Sequence, residues 1–189
     1  MLAILQTVQD LDLQAVRWLT FQVSQNQWLT ALTYICAHLL ILVPAFAPLL
    51  LWWIPAQRKR LGMRRAIVLC GLTVASSLAL KAGIDFVFQR ARPFEADPNL
   101  LHMMIPAAGN SFPSGHTIIA MAIAVGFLVG GRKVLGWWLV ACAVLIALGR
   151  VAAGVHYPSD VLASLIFASV IGLMLRHEAS GLKHYLPAE

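Results

Sequence analysis

The stretch Ala66–Phe88, AIVLCGLTVASSLALKAGIDFVF, decides the fold. Its 23 residues carry only two charges, Lys81 and Asp85, both near one end. The hydrocarbon region of a bilayer takes roughly 20 consecutive apolar residues per helix, so this run is long enough to cross. The rest of the chain has the same character. Of 189 residues 60% are hydrophobic and 12% charged, with a mean hydropathy of +0.78. Soluble domains carry about a quarter charged residues, and a small domain has too little interior to hide such an excess of apolar side chains. A membrane-embedded helical chain follows.

Working outward, four further runs are long or apolar enough to cross: Trp28–Trp53, Thr117–Gly131, Leu135–Leu148 and Val161–Leu175. The expected fold is therefore all-α, a polytopic transmembrane bundle of five or six spans. It forms a single domain over residues 1–189, with the bundle over 28–176 and a cytoplasmic tail over 177–189. Residues 1–24 differ: Leu5, Val8, Leu11, Val16, Leu19 and Val23 alternate with Gln6, Gln9, Asp10, Asp12, Gln14 and Arg17 at roughly helical spacing. That pattern suits an amphipathic helix in the interface, with a first span as the other reading. The N-terminus lacks a basic n-region, so no cleavable signal peptide is expected.

Position explains the net charge of +6. Most of the Lys and Arg residues fall beside or between apolar runs: Arg58, Lys59, Arg60, Arg64, Arg65, Arg132, Lys133, Arg176 and Lys183. This is how cytoplasmic loops are marked, and it argues against nucleic acid as a partner. Trp52, Trp53, Trp137 and Trp138 flank the same loops as interfacial anchors, with Trp28 at the opposite end. Cys36, Cys70 and Cys142 sit apart inside apolar runs and read as small hydrophobes. With the basic loops inside, every remaining polar cluster lies on the outer face: Gln89–Ser114, His116 and Arg150–Asp160.

Three clusters there carry chemistry. In Gln89-Arg90-Ala91-Arg92-Pro93-Phe94 the guanidinium groups offer planar forks that match phosphate oxygens, or else they are snorkelling arginines at a helix end. Ser111-Phe112-Pro113-Ser114-Gly115-His116-Thr117 leads into an apolar helix. Its opening N–H groups and Ser114 form an anion site, or Ser114 is a simple N-cap. In the stretch from Gly149 to Asp160, Arg150 ends one span, and Asp160 opens the next helix within reach of an imidazole nitrogen of His156, fixing its tautomer for attack, or the two are a structural pair capping that helix. Ionisable groups at membrane depth are costly and by default functional. Positive charge, an in-line nucleophile and an acid for the leaving oxygen are the requirements of phosphoryl transfer.

Arg92-Pro93, Pro113-Ser114-Gly115-His116, and Arg150 followed by His156 and Asp160 resemble the three signature blocks of the type 2 phosphatidic acid phosphatase superfamily. The resemblance runs from about Lys81 to Asp160. It implies a phosphohistidine on His156, with Asp160 orienting that ring and His116 as general acid. Arg92, Arg150, Ser114 and the Gly115 N–H would hold the phosphate. It also implies no metal and no cofactor. In the first block the family's Lys position is occupied by Asp85, and either Lys81, one turn earlier, or Arg90 would supply the missing charge. Gly149 stands where the family has a Ser.

The small size, the N-terminal segment and the Arg-Pro-Phe and Ser-Phe-Pro-Ser contexts are similar to bacterial undecaprenyl diphosphate phosphatases. The expected reaction is hydrolysis of undecaprenyl diphosphate to undecaprenyl phosphate. The expected partners are that lipid and the bilayer, at the inner (plasma) membrane with the site facing the periplasm or cell exterior. Phosphatidylglycerophosphate, phosphatidate or lipid A phosphates are the other substrates. A lipid phosphotransferase and a non-catalytic lipid-binding or transport protein are the other activities.

Overall fold

The computed structural model describes residues 2–54, 61–100 and 109–181. The sequence readings at Arg58, Lys59, Arg60 and Lys183 fall outside these. The described residues contain helices and no strands. They are α1 (Leu2–Ser24), α2 (Gln27–Tyr34), a π-helical turn (Ile35–Leu39), α3 (Leu42–Trp53), α4 (Leu61–Val87), the short α5 (Pro93–Ala96), α6 (Gly115–Val129), α7 (Lys133–Ala152) and α8 (Pro158–Gly181).

Three of these helices are long and apolar enough to cross a membrane, within Gly62–Val87, Lys133–Ala152 and Pro158–Arg176. The run expected as one span over Trp28–Trp53 is instead two helical pieces bent by 45° about the π turn. Leu40 N–H reaches back five residues to the Ile35 carbonyl, and Val43 N–H bonds the Leu40 carbonyl. Pro44 has no N–H to continue the ladder, and Pro48 removes a second rung inside α3. Taken together, the bent pair is also long and apolar enough for one broken span or a re-entrant loop.

The apolar α6 of 15 residues is the axis of the bundle. At 1.5 Å per residue it extends about 22 Å, shorter than a hydrocarbon core of about 30 Å. It is apolar all round, which marks a helix enclosed by its neighbours. Accordingly Ile118, Ala120 and the run Ala122–Phe127 are buried, with α4, α7 and α8 packed around them. Met63, Ala66 and Cys70 of α4 join Ile123, Ala124 and Phe127 of α6 and Leu139 of α7 in the core away from the polar face. The Cys70 thiol donates to the Ile123 carbonyl at 3.3 Å.

The basic residues collect at that end. A β-carbon built on Gly62, at the start of α4, would lie 3.4 Å from the Arg132 guanidinium. Arg64, Arg65 and Lys133 lie within three residues of those two positions. From there α4 climbs to Val87, α6 descends from Gly115, α7 climbs to Arg150 and α8 descends from Pro158. Among the described residues, the three polar clusters thus emerge at one end of the bundle and Arg64, Arg65, Arg132 and Lys133 gather at the other. A second core at the polar end joins Val16 of α1 to Leu100, Ala147, Val151, Tyr157 and Val161. It docks α1 beside the polar clusters.

Candidate active site

His156 sits in the short link between α7 and α8. Gly154, at φ +74°, turns the chain there, a conformation that side chains with a β-carbon rarely adopt. The imidazole is 2% exposed. Its Nδ1 lies 2.8 Å from the Ser111 carbonyl, which can only accept, so Nδ1 carries the proton and Nε2 keeps its lone pair. The sequence reading gave the task of fixing the tautomer to Asp160. The carboxylate is close, at 3.6 Å from Nδ1, but the nearer acceptor is the backbone of the second cluster.

Asp160 acts one step further back. Its Oδ2 accepts from the Ser111 hydroxyl at 2.6 Å and from the Tyr157 N–H at 2.9 Å. Its Oδ1 accepts from Arg90 at 2.5 Å. The aspartate therefore holds both the segment that orients His156 and the start of α8. Burial pushes the His156 pKa down to about 4; the adjacent Asp160 opposes this, and the charges of Arg150 and Arg92 reinforce it. The ring is neutral at neutral pH.

Facing Nε2 is Arg92. Pro93 opens α5 at the position where a missing N–H costs nothing, and the Glu95 carboxylate accepts the Arg92 N–H at 2.8 Å, so the backbone of Arg92 is fixed. The Arg92 guanidinium donates to the carbonyls of Val155 at 3.0 Å and Gly109 at 3.1 Å. Its Nη1 lies 3.3 Å from His156 Nε2. Burial lowers the Arg92 pKa, with Glu95 and Asp160 opposing.

The N-terminus of α6 completes the cluster. Ile118 N–H bonds the Ser114 carbonyl, while the Ser114 side chain caps no backbone N–H and instead accepts from the Thr117 hydroxyl at 3.1 Å. The opening N–H groups of a helix lack intrahelical acceptors and form an anion site. His116 lies half-buried in this first turn, within electrostatic reach of Arg150, His156 and Arg92. Arg150, 2% exposed, donates from Nη1 to the Ala37 carbonyl at 3.2 Å in the π turn. Its buried Nε has no partner among the described residues. A β-carbon on Gly149 would come within 2.7 Å of the Ala37 nitrogen, so only glycine permits this approach of α7 to the π turn.

The structure brings His156, Asp160, Arg92, Arg150, His116, Ser114 and Gly115 to one place. It also separates the two candidates for the first-block cation. Lys81 Cε lies 3.6 Å from where a Gly115 β-carbon would be, against the α6 N-terminus, and Nζ pairs with Asp85 at 2.8 Å. Arg90 turns the other way. Its guanidinium is held by Asp160, Ser159 and Asp12 and lies 4.0 Å over the Tyr157 ring. Sequence reasoning gave no role to Asp12, Asn110, Ser159 or the carbonyls of Ser111 and Ala37. Asn110 bridges Asp85, at 2.9 Å, to the Arg90 N–H, at 2.8 Å. Its place beside Ser111 was the available hint.

The family model described as the PAP2 superfamily matches residues 66–180. The chain is 40% identical over 112 residues to undecaprenyl-diphosphatase BcrC of Bacillus subtilis, a match spanning 59% of this chain and 56% of that one. To the putative undecaprenyl-diphosphatase YbjG of Escherichia coli it is 32% identical over 171 residues, covering 88% and 81%. In fold it is similar to a transmembrane PAP2-type phosphatidylglycerolphosphate phosphatase from Bacillus subtilis, with a TM-score of 0.67 at 20% identity over 95% and 90% of the two chains. The matched region contains every signature residue from Arg92 to Asp160 and the four helices that carry them, and on that ground the chain belongs to the PAP2 superfamily.

Proposed function

We propose that the protein is a lipid phosphatase that removes the terminal phosphate of undecaprenyl diphosphate through a phosphohistidine on His156. The observation that carries this reading is the buried neutral imidazole, its Nδ1 proton on the Ser111 carbonyl and its Nε2 facing the Arg92 guanidinium. In the first step the Nε2 lone pair forms a bond to the terminal phosphorus. The bridging P–O bond breaks, and the departing undecaprenyl phosphate oxygen takes a proton from His116. In the second step His116 removes a proton from water, the water oxygen attacks phosphorus, the P–N bond breaks and inorganic phosphate leaves. Arg92, Arg150, Ser114 and the opening N–H groups of α6 face the equatorial oxygens, where charge accumulates.

Lys81 is assigned to the second phosphate of the diphosphate. It stands at the rim of the α6 N-terminus, paired with an acid that an incoming anion displaces. The site faces the cell exterior or periplasm from the inner membrane. This is supported by Arg64, Arg65, Arg132 and Lys133 gathering at the opposite end. The relatives named as undecaprenyl-diphosphatases favour the polyprenyl substrate over a diacyl one. The test is phosphate release in detergent from a panel of undecaprenyl diphosphate, phosphatidylglycerophosphate, phosphatidate and lipid A. Undecaprenyl diphosphate is expected to give the highest kcat/KM, and His156→Ala none. Preferred turnover of another lipid would overturn the substrate, and wild-type turnover by His156→Ala the mechanism.

A further inference from the structure

α1 turns an acid inward. Its apolar residues Val8, Leu11, Trp18 and Phe21 are exposed on the bundle surface, whereas Asp12, Val16 and Thr20, spaced at four residues, face the protein. Asp12 is 7% exposed. Its Oδ1 accepts the Ser159 N–H at 3.1 Å, in the first turn of α8, and its Oδ2 accepts the Ser159 hydroxyl. The same Oδ2 lies 2.7 Å from Arg90 Nη2. Arg90 Nη1 then reaches Asp160 at 2.5 Å, Asp160 holds Ser111 at 2.6 Å, and the Ser111 carbonyl holds His156 Nδ1 at 2.8 Å.

We infer that Asp12 of the N-terminal helix is a positioning residue for His156, acting by sharing the Arg90 guanidinium with Asp160. This rests on the phosphohistidine reading above. Two carboxylates bracket one guanidinium in a buried cluster, so Arg90 neutralises neither fully, and a net negative charge stays beside the Nδ1–H of His156. That charge matters only during the reaction. As Nε2 bonds to phosphorus while Nδ1 keeps its proton, the ring becomes cationic, and Asp160 at 3.6 Å stabilises it more than it stabilises the neutral ring. With Asp12 uncharged, Arg90 pairs with Asp160 alone and the carboxylate is less available to the imidazolium. A change of one pKa unit in how well the cationic ring is stabilised corresponds to about tenfold in rate.

The test is Asp12→Asn, which keeps shape and loses charge, assayed on undecaprenyl diphosphate in detergent beside wild type, Asp12→Glu and His156→Ala. The expected result is a kcat lowered about tenfold, with KM within about twofold of wild type, and substantial recovery in Asp12→Glu. Rapid-quench measurement should place the loss in the formation of the phosphoenzyme. A purely structural staple predicts a lowered melting temperature with unchanged kcat in the folded fraction, and that result overturns the inference. If Asp12→Asn does not purify as a folded protein, Arg90→Lys makes the same comparison, because an ammonium cannot span both carboxylates as the guanidinium does. In that variant an unchanged kcat again overturns it. Absence of phosphoenzyme in the wild type would instead remove the phosphohistidine reading itself, so the two failures are distinguishable.

Discussion

In the proposed mechanism His156 is prepared for attack by burial and by a backbone carbonyl rather than by a strong base. The lowered pKa of about 4 means that the proton leaves Nε2 well below the ordinary imidazole value, so the neutral ring persists as pH falls. The acid limb of kcat/KM assigned to His156 is therefore expected below pH 6.5. Titration of the His156 ring by NMR in detergent is expected to show a midpoint below 6.5; a midpoint at or above it contradicts the effect of burial. Lys81→Met is expected to raise KM about tenfold or more with a smaller change in kcat, as loss of a charge-assisted contact to substrate would. Unchanged KM would remove Lys81 from the site. At this scale the sequence was legible wherever spacing along one segment carried the chemistry, as from Arg150 to His156 and Asp160. It was illegible where a partner comes from far along the chain. Asp12 and Arg90 are 78 residues apart, and Asp12 lies in a helix whose polar stripe reads as facing water.

The elements place the site. α6 packs against α4, α7 and α8, and that packing sets its N-terminus near His156. The bent pair α2–α3 contributes a backbone carbonyl, which a straight helix would have kept in its own ladder: Ala37 O sits in the π turn and takes Arg150. Hydropathy shows the apolar length of this span but not its break, because averaging over a span-length window hides two prolines among strongly apolar neighbours. Gly149 is the contact point. Gly149→Val would drive side-chain atoms into the Ala37 backbone and is expected to destabilise the protein by about 1–3 kcal/mol. It should also lower kcat through Arg150. The melting temperature in detergent and the steady-state rate check both; an unaffected melting temperature would mean that the π turn is not held against α7.

At the scale of the whole molecule, charge separates the two ends of the bundle. Which clusters share an end of the bundle was legible because loop charge and helix order are sequence properties, whereas the convergence of three loops on one cradle is a property of packing. With Cys36, Cys70 and Cys142 replaced, a membrane-impermeant thiol reagent added to intact cells should label Ala96→Cys, at the exposed end of α5, and not Lys133→Cys. The reverse pattern would put the site on the cytoplasmic face. The account as a whole stands on one covalent species. When the protein, reconstituted in vesicles, is mixed with undecaprenyl diphosphate carrying a radiolabelled terminal phosphate and quenched within a turnover, the account predicts an acid-labile, base-stable label on His156, lost in His156→Ala. Label on another residue, or multiple turnovers with no labelled protein at any time, would contradict it.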